Sequence, residues 1–306
     1  MERLADVQEY LRYEARHDLG RDDFAVLFAL GFICVLISSV IAFFCFSWSQ
    51  ITAAVCVFVG FLIWRHVSIT REPYPPQRGR RWISDDGNTS VPDTSRLPAV
   101  YFFYVLGSGG HTTEMLDIIK QKFRPQANQH RRYLVTIGDQ DSLSRVARLE
   151  AQIHNACAGD NTRGTLDTFQ VPRARRVHQP FWTAPLTCGL TAVYCINALT
   201  REPEMRPRAR HSTQFKYPHV IVTNGPATGF VVCAVAHLLK MLYLVPDNRL
   251  KMVYVESWAR SRTLSLTGRL FWRTNIANMF CVQHEELAQR LDGAVYLPAP
   301  ALRGSG

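Results

Sequence analysis

Between Phe24 and Trp64 the sequence contains no Asp, Glu, Lys or Arg. A stretch that long without charge excludes an all-soluble chain of ordinary surface composition, and it is too long for the core of a cleavable signal peptide. Eight cysteines are present, but no C-x-x-C pair and no cysteine–histidine spacing suited to a metal. That excludes a zinc site or a disulfide framework and leaves reduced thiols in a cytosol-facing protein. No metal and no cofactor is expected. Acidic residues are scarce relative to basic ones, 25 against 35, for a formal charge of +10 and a pI near 9.4. The imbalance calls for an anionic partner: nucleic acid, a phosphorylated substrate or an anionic membrane surface. The basic residues track the membrane-proximal linker and loops rather than any recognition module, which sets nucleic acid aside. Two signatures of nicotinamide enzymes are also missing. The third glycine of G-x-G-x-x-G falls at Thr112, and there is no Tyr-x-x-x-Lys pair.

The chain of 306 residues divides into four parts. Residues 1–23 have the pattern of a short amphipathic surface helix. Residues 24–64 form a transmembrane region. As one straight helix they would run ~60 Å at ~1.5 Å per residue, against a hydrocarbon core of ~30 Å. A hairpin turning near Ser47-Trp48-Ser49-Gln50 fits that length; a single tilted span with an interfacial segment is the other solution. Arg12, Arg16 and Arg21 precede the region, and Arg65, Arg71, Arg78, Arg80 and Arg81 follow it. The positive-inside rule wants both flanks cytosolic. Residues 65–98 read as a proline-broken basic linker lying on anionic headgroups, where the Asn88-Thr89-Ser90 sequon would go unused.

From residue 99 to 306, strand and helix signals alternate, as in a parallel sheet with crossover helices on both faces. Strands are expected at Val100–Leu106, Tyr133–Ile137, Thr168–Val171, Val220–Val222, Met252–Val255 and Phe280–Gln283. The uncharged Phe181–Thr200 stretch reads as a helix lying against the membrane or the core. The first strand ends in Gly107-Ser108-Gly109-Gly110, followed by His111 and a helix that Thr112 or Thr113 could cap. A strand, a glycine loop and a helix N-terminus together make an anion site, with phosphate or pyrophosphate the natural guest. Arg173, Arg175, Arg176 and His178 form a basic cluster after the third strand, either a solvated loop or a clamp on a pyrophosphate. In open α/β sheets, ligands sit outside the carboxyl ends of the strands. His111, Asp139, Asn224 and Glu256 should all project there, although Glu256 could equally be a structural cap and His111 could cap a backbone group.

Four stretches carry a resemblance: VLGSGGHTTEM at 105–115, VPRAR at 171–175, TNGPATG at 223–229 and YVESWARSRTLSLTGRL at 254–270. Together the chain resembles the membrane-anchoring subunit of the two-component UDP-N-acetylglucosamine transferase of dolichol-linked oligosaccharide synthesis. The resemblance implies the Rossmann-like N-terminal half of a GT-B glycosyltransferase, preceded by a transmembrane region. It implies transfer of GlcNAc from UDP-GlcNAc to dolichyl-pyrophosphoryl-GlcNAc at the cytosolic face of the endoplasmic reticulum or nuclear envelope. A soluble donor-binding subunit would supply the UDP-GlcNAc half, and a pure membrane scaffold without chemistry of its own is the alternative. The catalytic set implied is His111, as general base, with Glu256. The substrate-binding set is Gly107, Ser108, Gly109, Gly110, Thr112, Arg173, Arg175, Asn224 and Gly225. Three stretches depart from the family pattern: Gly225-Pro226-Ala227-Thr228 stands where Gly-Pro-Gly-Thr is usual, Gln283-His284-Glu285 where Gln-Trp-Pro is usual, and Tyr296–Gly306 lacks the apolar end that docks the partner. Size agrees, since ~200 soluble residues make one domain where a GT-B enzyme needs two.

Overall fold

The computed structural model describes residues 30, 31, 33–41, 47–71, 99–157, 161–175, 179, 182–205, 215–225 and 227–298. The amphipathic segment expected over 1–23, most of the basic linker, Arg176, His178 and the tail from 299 onward lie outside the described residues. Residues 33–41 are helical. Helix α1, Trp48–Thr70, begins at Ser47, whose side chain accepts from the Gln50 N–H while the Gln50 side chain accepts from the Ser47 N–H. This capping box satisfies two donors at the helix start, and it falls where the sequence placed the turn. By length and composition α1 is long enough to cross a membrane. Its side chains at Val55, Val57 and Phe58 are exposed, with Val57 at 73%.

The boundary at Arg65 needs correction. The sequence reading started a linker there, but α1 continues through Thr70 and its last turns pack on the folded domain. Arg65 is 5% exposed and Ile69 is buried. The first charge after the apolar run is thus kept by a partner, Asp247, rather than by headgroups alone.

The domain is a seven-stranded sheet in the order β3-β2-β1-β4-β5-β6-β7, with every pair parallel. The strands are β1 (Val100–Val105), β2 (Gln129–Thr136), β3 (Thr165–Val171), β4 (Val220–Thr223), β5 (Lys251–Val255), β6 (Met279–Val282) and β7 (Val295–Tyr296). The helices that link them are α2 (Gly110–Lys122), α3 (Gln140–Ala156), α4 (Ala184–Thr200), α5 (Ala227–Met241), α6 (Leu266–Thr274) and α7 (Glu285–Arg290). Alternate strand residues feed two cores. Phe103, Val105, Leu134 and Ile221 face α4 and α5, whereas Tyr104, Leu106, Tyr133 and Val135 face α2 and α3. That period of two, with helices on both faces, is what a buried parallel sheet requires. The helix α4 belongs to the larger core through Tyr194, Cys195, Ala198 and Leu199, while Leu186, Leu190 and Ile196 remain exposed.

Strand β2 starts four residues earlier than the sequence suggested, and β3 three residues earlier. The residues added to β2 are polar, and β2 is buried along its whole length. Arg131 places Nε and Nη2 on the two carboxylate oxygens of Glu150 at 2.8 and 2.7 Å, and Arg132 does the same with Asp167 at 2.8 and 2.5 Å. Such forked pairs neutralise the charge and fill the donors, so polar residues can occupy a central strand. Burial opposes ionisation of Asp167, but the Arg132 guanidinium outweighs it and holds the carboxyl far below the usual range. The cap of α3 is Asp139; its carboxylate accepts from the Ser142 N–H at 3.1 Å. The short β7 was absent from the sequence reading.

Candidate functional site

Because all strands run parallel, the loops that follow β1, β4, β5 and β6 emerge at one edge of the sheet. The β1 loop carries the glycine turn. Gly109 has φ +63°, a backbone geometry that disfavours any side chain, and it is the N-cap of α2. A Cβ placed on Gly109 or Gly110 would meet nothing within 4 Å. Packing therefore does not demand glycine at 110, and the open side of the loop is accessible to a ligand. The helix starts at Gly110, so neither Thr112 nor Thr113 is its cap. Thr112 is fully buried, and its hydroxyl donates to the Gly107 carbonyl at 2.7 Å and contacts the Ser142 hydroxyl at 2.8 Å. Its side chain holds the loop from inside, which leaves its N–H in the first turn of α2 as the group it can offer a ligand.

His111 lies in the first turn of α2, with its side chain 37% exposed. Its carbonyl accepts from the Asn224 amide at 2.7 Å. Asn224 is itself buried at the end of β4, followed by Gly225 at φ +91°. The β1 and β4 loops are thus joined, the Asn224 side chain meeting the His111 backbone. Ser108 and Gly107 complete the loop.

Glu256 follows β5 directly, at the carboxyl end of the strand. It is 1% exposed, one oxygen accepts from the Ser257 N–H at 3.0 Å, and the other accepts from the Ser265 N–H and hydroxyl at 3.0 and 3.1 Å. A side chain on Gly268 would strike this carboxylate, so α6 approaches it closely. The charge is used to close the loop 257–265 onto α6. Asp139 is likewise occupied as the α3 cap.

Arg173 is exposed, and Arg175 donates to the Gln179 carbonyl at 3.1 Å. Their loop is fastened over the first turn of α5, where the Ala174 N–H donates to the Thr228 hydroxyl at 3.4 Å. The structure therefore places the basic pair at the same sheet edge, one loop removed from the glycine turn.

Glu114 is the residue the sequence reading missed. It lies one turn after His111 on α2, and its carboxylate gathers the other loops. It accepts from the Trp258 N–H at 2.6 Å, the Ser257 hydroxyl at 3.2 Å, the Asn224 amide at 3.4 Å and the Gln283 amide. Gln283 also donates to the Glu256 carbonyl at 2.9 Å. Burial raises the Glu114 pKa, but the neighbouring His111 ring and the donors from Trp258, Gln283 and Ser257 outweigh it and hold the carboxyl below its ordinary value. The only sequence signal was the i,i+3 spacing from His111. Among the described residues no group of His, Cys, Asp and Glu could hold a metal ion.

A parallel sheet with crossover helices on both faces, a glycine turn after its first strand and convergent side chains at the carboxyl edge define a Rossmann-like α/β domain. The family described as "Oligosaccharide biosynthesis protein Alg14 like" matches residues 102–299, and the chain belongs to it. It is 32% identical over 206 residues to the UDP-N-acetylglucosamine transferase subunit alg14 of Aspergillus fumigatus, covering 55% of this chain and 89% of that protein. The subunit of Yarrowia lipolytica is 33% identical over 195 residues, covering 63% and 77%. That of Rattus norvegicus is 29% identical over 194 residues, covering 63% and 79%. Among solved structures, MurG of Acinetobacter baumannii overlays at a TM-score of 0.36 and 14% identity, with 66% of this chain and 44% of that one covered. The chain spans under half of MurG, and the overlay carries no weight.

Proposed function

We propose that this chain is the membrane-anchored, acceptor-side subunit of a UDP-GlcNAc transferase. It takes dolichyl-pyrophosphoryl-GlcNAc as acceptor at the cytosolic face of the endoplasmic reticulum and recruits a soluble donor-binding subunit. The observation that carries the reading is the placement of His111 beside an open glycine turn at a helix N-terminus, in a family whose relatives are named as subunits of that transferase. A single Rossmann-like domain supplies one wall of a two-domain cleft, and in this reading the soluble subunit supplies the donor wall. The apolar length of α1 and its packing on the domain support the anchoring.

In this reading the N–H groups of the first α2 turn and the loop Gly107–Gly110 hold the acceptor pyrophosphate, because those N–H groups have no partner within the helix. Arg173 and Arg175 add charge from the neighbouring loop. Asn224 and Gly225 fix the loop geometry. The acceptor hydroxyl oxygen bonds to the anomeric carbon of GlcNAc as the bond to UDP breaks, and UDP leaves with the electron pair. The hydroxyl proton passes to His111. Glu256 anchors the 257–265 loop and takes no proton.

The test is a transfer assay with membranes carrying this chain, alone and with the soluble partner, given labelled UDP-GlcNAc and the dolichyl acceptor. Product is expected only with both chains, and His111→Ala should lower the rate ~10²- to 10⁴-fold, the usual contribution of positioned proton transfer. Full activity of His111→Ala in the assembled complex would leave the chain a scaffold without chemistry of its own.

A further inference from the structure

Glu114 is placed to do more than tie loops together. Its donors come from the ends of β4, β5 and β6: Trp258 and Gln283 hold Oε1, whereas Oε2 has only the Ser257 hydroxyl at 3.2 Å and the long Asn224 contact at 3.4 Å. Oε2 therefore keeps room for one further donor on a carboxylate that the loops fix in place. One neighbour remains at more than hydrogen-bond distance: His111 Nδ1, 3.8 Å from Glu114 Oε2. That nitrogen is buried and has no hydrogen-bond partner among the described residues. A movement of under 1 Å would close the gap, of the kind expected when a site tightens around its substrate.

We infer that Glu114 is the positioning residue for His111: it takes the Nδ1–H of the imidazole, turns Nε2 toward the acceptor hydroxyl, and balances the positive charge that appears when Nε2 receives the proton. The helix N-terminus beneath His111 disfavours a cation there, so an anion one turn along the same helix is what makes the protonated ring tolerable during transfer. Because the same carboxylate holds the loops bearing Trp258 and Gln283, the orientation of His111 depends on closure of the β5 and β6 loops. This inference rests on the transferase reading.

The experiment is a double-variant cycle on kcat in the assembled full-chain complex with labelled UDP-GlcNAc and the dolichyl acceptor. Glu114→Gln is expected to lower kcat about 10²-fold, the lower end of what positioned proton transfer contributes, with the acceptor KM within about twofold. The double variant His111→Ala, Glu114→Gln should be no slower than His111→Ala, since groups that act as one unit are not additive. A further loss in the double variant, or an effect of Glu114→Gln confined to KM or thermal stability, would overturn it. If His111→Ala is inactive while Glu114→Gln turns over normally, the base stands and this inference alone falls. If His111→Ala keeps full activity, the base fails and the positioning role with it. Should Glu114→Gln not fold, nitrogen NMR of the wild-type complex decides: the inference requires His111 to carry its proton on Nδ1, and a proton resident on Nε2 contradicts it.

Discussion

Arg65, the first charged residue after the apolar run of α1, places Nη2 2.6 Å from Asp247 Oδ1 on the far side of the domain junction. The same guanidinium donates to the Lys240 carbonyl at 3.3 Å and lies 3.9 Å over the Tyr243 ring. His66 and His237 touch one residue further on, at 2.9 Å. A flexible tether to a membrane helix would show no such set, so the helix and the domain share one orientation. Asp247→Ala leaves a buried guanidinium with only a carbonyl and an aromatic face. Solvent reaches Asp247, so the cost should be about 1–2 kcal/mol, below the ~3–5 kcal/mol of a fully buried pair. The thermal midpoint of the full chain in detergent should fall by several degrees, and cleavage by an added protease after α1 should accelerate. An unchanged midpoint would show that the pair contributes nothing to the junction.

The alternation of strand and helix was legible because strand cores such as Val100–Val105 carry an uninterrupted apolar signal. The start of β2 was not. Gln129, His130, Arg131 and Arg132 are polar and precede the apolar run from Tyr133, and the groups that make them tolerable, Glu150 and Asp167, lie on α3 and β3. Local pattern cannot register a charge that is cancelled from another element. The site divides in the same way. His111, the glycine turn and Asn224 stand in strand-end positions that sequence alone identifies. Glu114 stands inside a helix, and its importance comes from donors on three loops that only the folded sheet brings together. Thr112 and Glu256 were placed at the right edge, but whether a side chain points out or in is set by packing.

The junction should also respond to acid. Burial first, then the nearby charges of His66, Lys240 and Arg65, push the His237 pKa down to about 4. Burial and Arg249 do the same to His219, also to about 4. The unfolded value is ~6.5. Both groups are neutral in the folded chain and take up a proton more readily once it opens. Their contribution to stability is therefore complete above ~6.5 and is lost as the pH falls from there toward about 4. The midpoint of thermal unfolding should decline over that window, and His237→Gln should flatten part of the decline. A midpoint as high at pH 5 as at pH 7.5 would contradict the assignment.

Two adjacent glycines separate the needs of the fold from those of a ligand. Gly109 sits at φ +63° and ψ −124°, so Gly109→Ala should cost about 1–3 kcal/mol in backbone strain. A fall in the unfolding midpoint and in activity should follow together. Gly110 is the first residue of α2, and a methyl there meets nothing within 4 Å. Alanine also favours a helix over glycine. Gly110→Ala should accordingly leave the midpoint unchanged or slightly raised. If the loop receives the acceptor pyrophosphate, the added methyl stands in the way of backbone N–H contacts to a charged oxygen. Losing one such contact, worth about 1.5 kcal/mol, raises the acceptor KM by roughly tenfold. Steady-state kinetics at saturating donor read that change directly. A stable Gly110→Ala chain with normal acceptor KM would mean that no ligand approaches this turn, and the phosphate would have to be held elsewhere along the sheet edge.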